Sequence, residues 1–187
     1  MKFKIFHFAS LLLAVLILVM PFLLGLKPAG NVPTENLLYE PSEALLFAIL
    51  DADDFDPPVE VMSDDGIISY QVGTVDGKPV GAVFVLSVTG WNPGMLFIVG
   101  VENNGEISGV EIIQHMETPG IGESIETIQF RVQFLGNTFD MEFLSSGTAG
   151  DNQVAAMAGA TVSSQAIFDG AKASVQYYVE SILPTWE

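Results

Sequence analysis

Ala158-Gly159-Ala160-Thr161-Val162-Ser163-Ser164 places three hydroxyls beside small residues at the point where a helical pattern begins. From Gln165 the apolar residues Ile167, Ala171, Val175, Tyr178 and Ile182 recur at helical spacing, and Pro184 predicts the stop. The first turn of such a helix has backbone N–H groups without intrahelical partners, and the aligned peptide dipoles add positive potential there. Gly159 and Ala160 let a ligand approach that backbone closely. Thr161, Ser163 and Ser164 therefore suit two tasks: capping the helix with their own oxygens, or helping its N–H groups hold a phosphate. The chain has neither a Gly-x4-Gly-Lys-Ser/Thr loop nor a Gly-x-Gly-x-x-Gly turn opening a βαβ unit.

The elements that must position this segment are legible upstream. Ile67 to Val75 and Val80 to Val88 flank Asp76-Gly77, and Met95 to Glu102 and Ile107 to Ile113 flank Asn104-Gly105, two dipeptides suited to tight hairpins. Val80, Ala82, Phe84, Leu86 and Val88 fall on one strand face, so an antiparallel sheet is the expected platform. Trp91 lies between the hairpins, where core packing is its expected role. Directly after the last strand comes Glu117-Thr118-Pro119-Gly120, a turn in which Pro fixes one dihedral and Gly permits another. His115 cannot build a multi-histidine metal site with no second histidine near it, and reads as structural or solvent-facing. Further on, Ile125, Ile128 and Val132 mark a helix, Thr138 to Leu144 a strand, and Ser145 to Asn152 a loop leading to the threonine segment. The fold class expected is α+β, an antiparallel sheet of hairpins with packed helices.

Two segments, in order, carry a resemblance. Gly159-Ala160-Thr161-x-Ser163-Ser164 resembles the flavinylation motif of the FMN-binding domain family, in which the threonine carries FMN through a phosphoester. His115-Met116-Glu117-Thr118-Pro119-Gly120-Ile121-Gly122 resembles the Glu-Thr-Pro-Gly-Leu-Gly segment of the G subunits of Rnf-type electron-transport complexes. Two positions depart from the usual pattern: Ala158 stands where the family has Ser or Thr, and Ala155 where it often has an acid. The resemblance implies that Thr161 tethers the phosphate, that Gly159 and Ala160 admit it, and that Ser163 and Ser164 donate to it. It also implies that Glu117, Thr118, Pro119 and Gly120 shape the ring site, with Trp91 near the flavin. The expected function is a membrane-anchored electron carrier in an ion-translocating ferredoxin:NAD oxidoreductase moving Na⁺ or H⁺. No acid–base catalytic residue and no metal are expected. Expected partners are the other membrane and redox subunits of an Rnf-type complex, a flavin transferase and the lipid bilayer. Two alternatives remain open: the C subunit of a sodium-pumping NADH:quinone reductase, and a flavin-free membrane-anchored binding or assembly module.

Composition narrows the classes further. No cysteine is present among the 187 residues, which excludes disulfides, iron–sulfur clusters and thiol catalysis, so any electron carried here needs an organic cofactor. Only Lys78, Arg131 and Lys172 follow Lys27, against 23 acidic residues, and the net charge is −17. Such a surface repels phosphate backbones and excludes nucleic acid as a partner. Asp51, Asp53, Asp54 and Asp56 lack the central Gly and distal Glu of a calcium loop and read as an acidic end to a short helix over Ala44 to Leu50. Phe6 to Leu26 is almost wholly apolar and reaches the roughly 20 residues that span a bilayer. Signal peptides, the rival reading, have apolar cores of roughly 7–15 residues and a small-x-small site, which Gly25-Leu26-Lys27-Pro28-Ala29 does not supply. Lys2 and Lys4 place the N-terminus in the cytoplasm by the positive-inside rule. The expected organisation is an anchor over 1–27, a Pro- and Gly-bearing linker over 28–40 and an extracytoplasmic domain over 41–187 at the inner membrane.

Overall fold

β-branched and aromatic residues dominate four consecutive segments, and each forms a strand. A computed structural model of the protein describes residues 39–61 and 63–186. The strands are β3 (Ile67–Val75), β4 (Lys78–Val88), β5 (Met95–Glu102) and β6 (Ile107–Gln114), joined as an antiparallel meander. Two short strands, β1 (Asp54–Phe55) and β2 (Val59–Glu60), both pair with the outer edge of β3. The expected anchor over 1–27, and the linker up to residue 38, lie outside the described residues. Among the described residues no helix is long and apolar enough to cross a membrane.

The two hairpins close differently. Asp76 and Gly77 both adopt positive φ, 50° and 72°, which matches the right-handed twist of the flanking strands. At the second turn only Gly105 is positive, at 81°. There Glu102 and Glu106 remain hydrogen-bonded around an ordinary turn, with Glu106 N–H donating to Asn104 Oδ1 at 2.9 Å. The Asn-Gly pair thus makes a hairpin, with one more residue in its loop than the tightest form.

Both sheet faces are buried. Ala82, Phe84, Leu86, Phe97, Val99 and Val101 form one core with Ile167, Phe168, Ala171, Val175 and Tyr178 of helix α3 (Thr161–Tyr177) and the turn that follows it. On the opposite face Val83, Val85 and Ile98 pack against Leu46, Ile49 and Leu50 from helix α1 (Glu43–Ile49) and its C-cap. Gly73, Gly81, Gly100 and Gly109 let α1 settle onto that face, because a Cβ at any of them would press on Ile49 or Leu50. Continuous burial from Gly81 to Leu86 follows from this two-sided cover.

The segment after β6 departs from expectation. In place of one helix through Ile125, Ile128 and Val132 there are three single turns: Gly122–Glu126, α2 (Ile128–Arg131) and Val132–Phe134. Phe130 and Phe134 are fully buried, whereas Ile128 and Val132 face outward. Aromatic burial outweighs the aliphatic stripe, since each Phe removes more apolar area from water than either aliphatic residue. The expected strand from Thr138 shrinks to β7 (Glu142–Leu144), paired in parallel with β8 (Gln153–Ala155).

Helix α3 widens into a π-turn at Tyr178–Ile182 and then a 3-10 turn at Leu183–Thr185, which contains Pro184. Tyr178 is fully buried against Trp186, and its hydroxyl has no hydrogen-bond partner among the described residues. Burial holds its pKa well above the ordinary 10. Folding therefore favours the neutral phenol, so stability falls as pH rises past 10, where the unfolded tyrosine ionises first. Removing an unpaired buried hydroxyl removes a desolvation cost, and Tyr178→Phe is expected to stabilise by about 1 kcal/mol. Urea midpoints at pH 7 and pH 10.5 check this: the gain persists at pH 7, and the alkaline loss shrinks in the variant.

Candidate functional site

Three segments far apart in sequence line one cavity of about 420 Å³. The β4–β5 connection contributes Trp91; the turn after β6 contributes Glu117, Thr118, Ile121 and Gly122; the start of α3 contributes Gly159 to Ser163. Both motifs singled out in the sequence thus face a common space.

The helix start is built to leave its amides free. Ala160 occupies the N-cap position at φ −122° and ψ 31°, and no side chain caps the helix. Ala160 N–H donates to Met157 O at 2.9 Å and Ser164 N–H to Ala160 O at 2.8 Å. No protein acceptor among the described residues meets the N–H groups of Thr161, Val162 and Ser163. Thr161 is exposed at this opening and Ser163 is buried in its wall. Gly159 turns the chain at φ 80°, and a Cβ added there would stand 3.1 Å from Ile121 Cγ2. Of the two tasks open to these hydroxyls, capping is therefore not the one adopted. The 17-residue helix thus begins with three amides that no protein group caps among the described residues.

Not every expected residue reaches the cavity. Ser164 is fully buried, and its hydroxyl accepts the Met157 N–H at 3.1 Å. It closes the 157–160 turn, directly behind the helix start. Pro119 and Gly120 also stand outside. Ile121 N–H and Gly122 N–H both reach back to Thr118 O, at 3.2 and 2.9 Å, and Glu123 accepts Gly120 N–H at 3.0 Å. That tight turn throws its tip outward, and Gly120 lines a neighbouring hollow instead. Trp91 is 72 % exposed at the cavity rim, which corrects the expectation of core packing. At its neighbour Gly90 an added Cβ would already meet Glu117 and Met95, so the backbone there runs hard against the wall and leaves no clearance for a larger group beneath it.

Glu117 is the buried acid of the site, 6 % exposed. Its Oε1 accepts Asn92 N–H at 3.2 Å, and Asn92 Nδ2 donates to Met116 O at 2.8 Å. Asn92 thereby clamps the Trp91 loop to the Glu117 turn across 25 residues, and nothing local in the sequence marks it for that role. His115 sits behind the same turn. Its Nδ1 accepts Glu117 N–H at 3.0 Å and its Nε2 lies 2.9 Å from Glu126 Oε1, which gives it the structural role expected.

Gly122 packs face to face with Glu117, and an added Cβ would overlap the Glu117 Cβ. Gly122→Ala is accordingly expected to cost about 1–3 kcal/mol by overpacking and to displace Glu117 from the cavity wall. Denaturant midpoints measure the first, and faster hydrogen exchange of the Asn92 amide than in the parent measures the second.

Comparison with known proteins gives a family match that spans all three segments. The FMN-binding domain family matches residues 90–176, a span that opens just before Trp91 and ends within α3. The chain is 31% identical over 141 residues to the G subunit of the ion-translocating oxidoreductase complex of Methanosarcina acetivorans, covering 72% of this chain and 73% of that one. It is 30% identical over 126 residues to the corresponding G subunit of Shewanella baltica, covering 64% of this chain and 58% of the relative. The G subunit of a Na(+)-translocating ferredoxin:NAD(+) oxidoreductase complex from Acetobacterium woodii is 29% identical over 116 residues, with 60% and 56% covered. The chain thus spans a little over half of several relatives it matches. Among solved structures, NqrC of Shewanella oneidensis shares the fold at a TM-score of 0.51 and 21% identity, over 68% of this chain and 65% of that one. The chain belongs to the family of ion-translocating oxidoreductase complex G subunits and carries its FMN-binding domain.

Proposed function

We propose that this chain is the FMN-bearing electron-carrier subunit of an Rnf-type ferredoxin:NAD oxidoreductase that moves Na⁺ or H⁺, with the flavin esterified to Thr161. One observation carries the reading: the Thr161 hydroxyl stands exposed at an uncapped helix start, beside the cavity shared with the Glu117–Gly122 turn. The residues present fit the group. The amides of Thr161, Val162 and Ser163 suit a phosphate, which in so acidic a chain needs local donors or a covalent bond to stay bound. Trp91, Ile121 and Val162 offer apolar faces for an aromatic ring, and Thr118 a hydroxyl for its polar edge. FMN supplies electron acceptance and release; the chain's own part is to anchor, orient and partly desolvate it. Thr161 tethers, Gly159 gives clearance, and the Asn92 clamp holds Trp91 over the opening.

The apolar run from Phe6 to Leu26 anchors the chain in the cytoplasmic membrane with its N-terminus inside, and the domain over 41–187 faces outward. A flavin transferase attaches the cofactor, and the other membrane and redox subunits of the complex supply and remove electrons. The G-subunit relatives at about 30% identity favour this complex over the related quinone reductase.

The test is the intact mass of the full chain co-expressed with a flavin transferase in a Gram-negative periplasm. The expected result is a gain of one FMN less one water. No gain, together with no FMN released on denaturation, would leave the flavin-free assembly module as the reading.

A further inference from the structure

The cavity does not stand alone. A second hollow on the far side of Val162 is lined by Asp64, Asp65 and Asp169, and it shares Val162 with the cavity. A third lies past the Gly120–Gly122 turn and is lined by Glu123 and Glu126. The three follow one another through Val162 and the Gly120–Glu123 turn as a band in which the cavity holds the exposed apolar residues and its two neighbours the acids. Trp91, Ile121 and Val162, all substantially exposed, line the centre, and Met116, the residue before Glu117, is 68 % exposed. Among the described residues no lysine or arginine lines any of the three hollows. The described cations lie elsewhere: Arg131 pairs with Glu111, Lys172 donates to Met141 O, and Lys78 begins β4 beside the Asp76-Gly77 turn.

We propose that this band is a docking face for a redox protein whose own contact surface is an apolar patch ringed by lysines and arginines. Charge complementarity selects that occupant. A second copy of this chain would bring carboxylates against carboxylates, and a bilayer with anionic headgroups would be repelled in the same way. Apolar contact at the centre displaces water from the cavity mouth and contributes the affinity, while the flanking acids set orientation and association rate. The pattern of charge and exposure is independent of the flavin; that the partner is a redox protein rests on the function proposed above.

The experiment uses the full chain in non-ionic detergent, carrying Thr161→Val so that no covalent flavin is present, and cytochrome c as a cationic probe with a lysine-ringed redox edge. Binding is followed by calorimetry at low and physiological salt. The D64N/D65N/E123Q/D169N variant is expected to weaken binding at least tenfold. D51N/D53N/D54N/D56N removes as much charge near β1 and is expected to change it less than about twofold, because a non-local effect of net charge is screened beyond roughly 8–10 Å. Met116→Lys, an exposed position outside the core, is expected to weaken binding further, and cytochrome c with acetylated lysines is expected not to bind. Equal losses in the two fourfold variants would overturn the proposal, as would undiminished binding of the acetylated probe. Self-association of the chain through Met116 or Val162 would overturn it in favour of a homodimer face. These readouts are taken without flavin, so their failure is separate from a failure to gain FMN mass.

Discussion

Thr161→Val should yield a chain without covalent flavin whose stability stays within about 0.5 kcal/mol of the parent, as for other surface changes that touch no special feature. The two halves of that expectation discriminate between readings. Thr161 is exposed, and no side chain caps helix α3, so the hydroxyl holds no bond that the fold depends on. Were it a cap, its loss would cost about 1 kcal/mol, and denaturant midpoints would separate from the parent's. Valine keeps the branched shape at the first helical position and removes only the nucleophilic oxygen. Thr161→Ser restores that oxygen and should restore attachment in part. Intact mass reads the attachment, and urea titration of the flavin-free forms of both variants reads the stability. A flavin retained in Thr161→Val would place the ester on another hydroxyl, with Ser163 the nearest candidate in the cavity wall.

Phe97→Ala is expected to have the largest effect on the fold, about 3–5 kcal/mol, a sizeable share of the roughly 5–15 kcal/mol by which a domain of this size is stable. Phe97 is fully buried and lies opposite Leu86 in the β4–β5 ladder. Its ring meets α3 at Gly170, where a Cβ would stand 2.8 Å from Phe97 Cζ and 3.0 Å from Leu86 Cδ2. Helix and sheet therefore pack tightly there, and the contact helps to hold α3 in place behind the cavity. Truncation leaves a void that the glycine cannot fill. The expected outcome is a large drop in urea midpoint at constant slope, together with slower flavin attachment at Thr161, because the amides and hydroxyl no longer hold one position. A change under 1 kcal/mol would mean that α3 is held mainly by Ile167, Ala171 and Val175.

Two further expectations concern parts of the molecule outside the cavity centre: the unpaired Tyr178 hydroxyl beneath Trp186, and the Gly122–Glu117 contact behind the ring-facing turn. Each isolates one term. The first removes a buried polar group without changing shape, whereas the second adds a single carbon where there is no space.

Local chemistry was decisive wherever the cause was local. Asp76-Gly77 and Asn104-Gly105 located both hairpins, because turn dihedrals depend on the two residues themselves. The helical spacing after Gln165 located α3, and the small residues before it located its start. The Glu117–Gly122 turn was legible from Pro and Gly in the same way. What spacing alone did not give was a choice between alternatives that depend on neighbours. Ile125, Ile128 and Val132 have helical spacing, yet only Ile125 joins Phe130 and Phe134 in the interior, and the segment breaks into single turns. Trp91 is a core residue by type and a rim residue by position.

By itself the sequence determined the hairpin meander, the long C-terminal helix, the hydroxyl-bearing start of that helix and the Pro-Gly turn after β6, since each follows from dihedral preference and side-chain period over a few residues; the flavin came from the resemblance of the two motifs to a family. Only the tertiary structure decided that the motifs share one cavity, that Ser164 turns inward while Thr161 faces out, and that Asn92 ties Trp91 to Glu117. The shared cavity and the Asn92 clamp depend on contacts between residues 24 or more positions apart. There the energy lies in packing and in the pairing of buried polar groups, and no local preference encodes either.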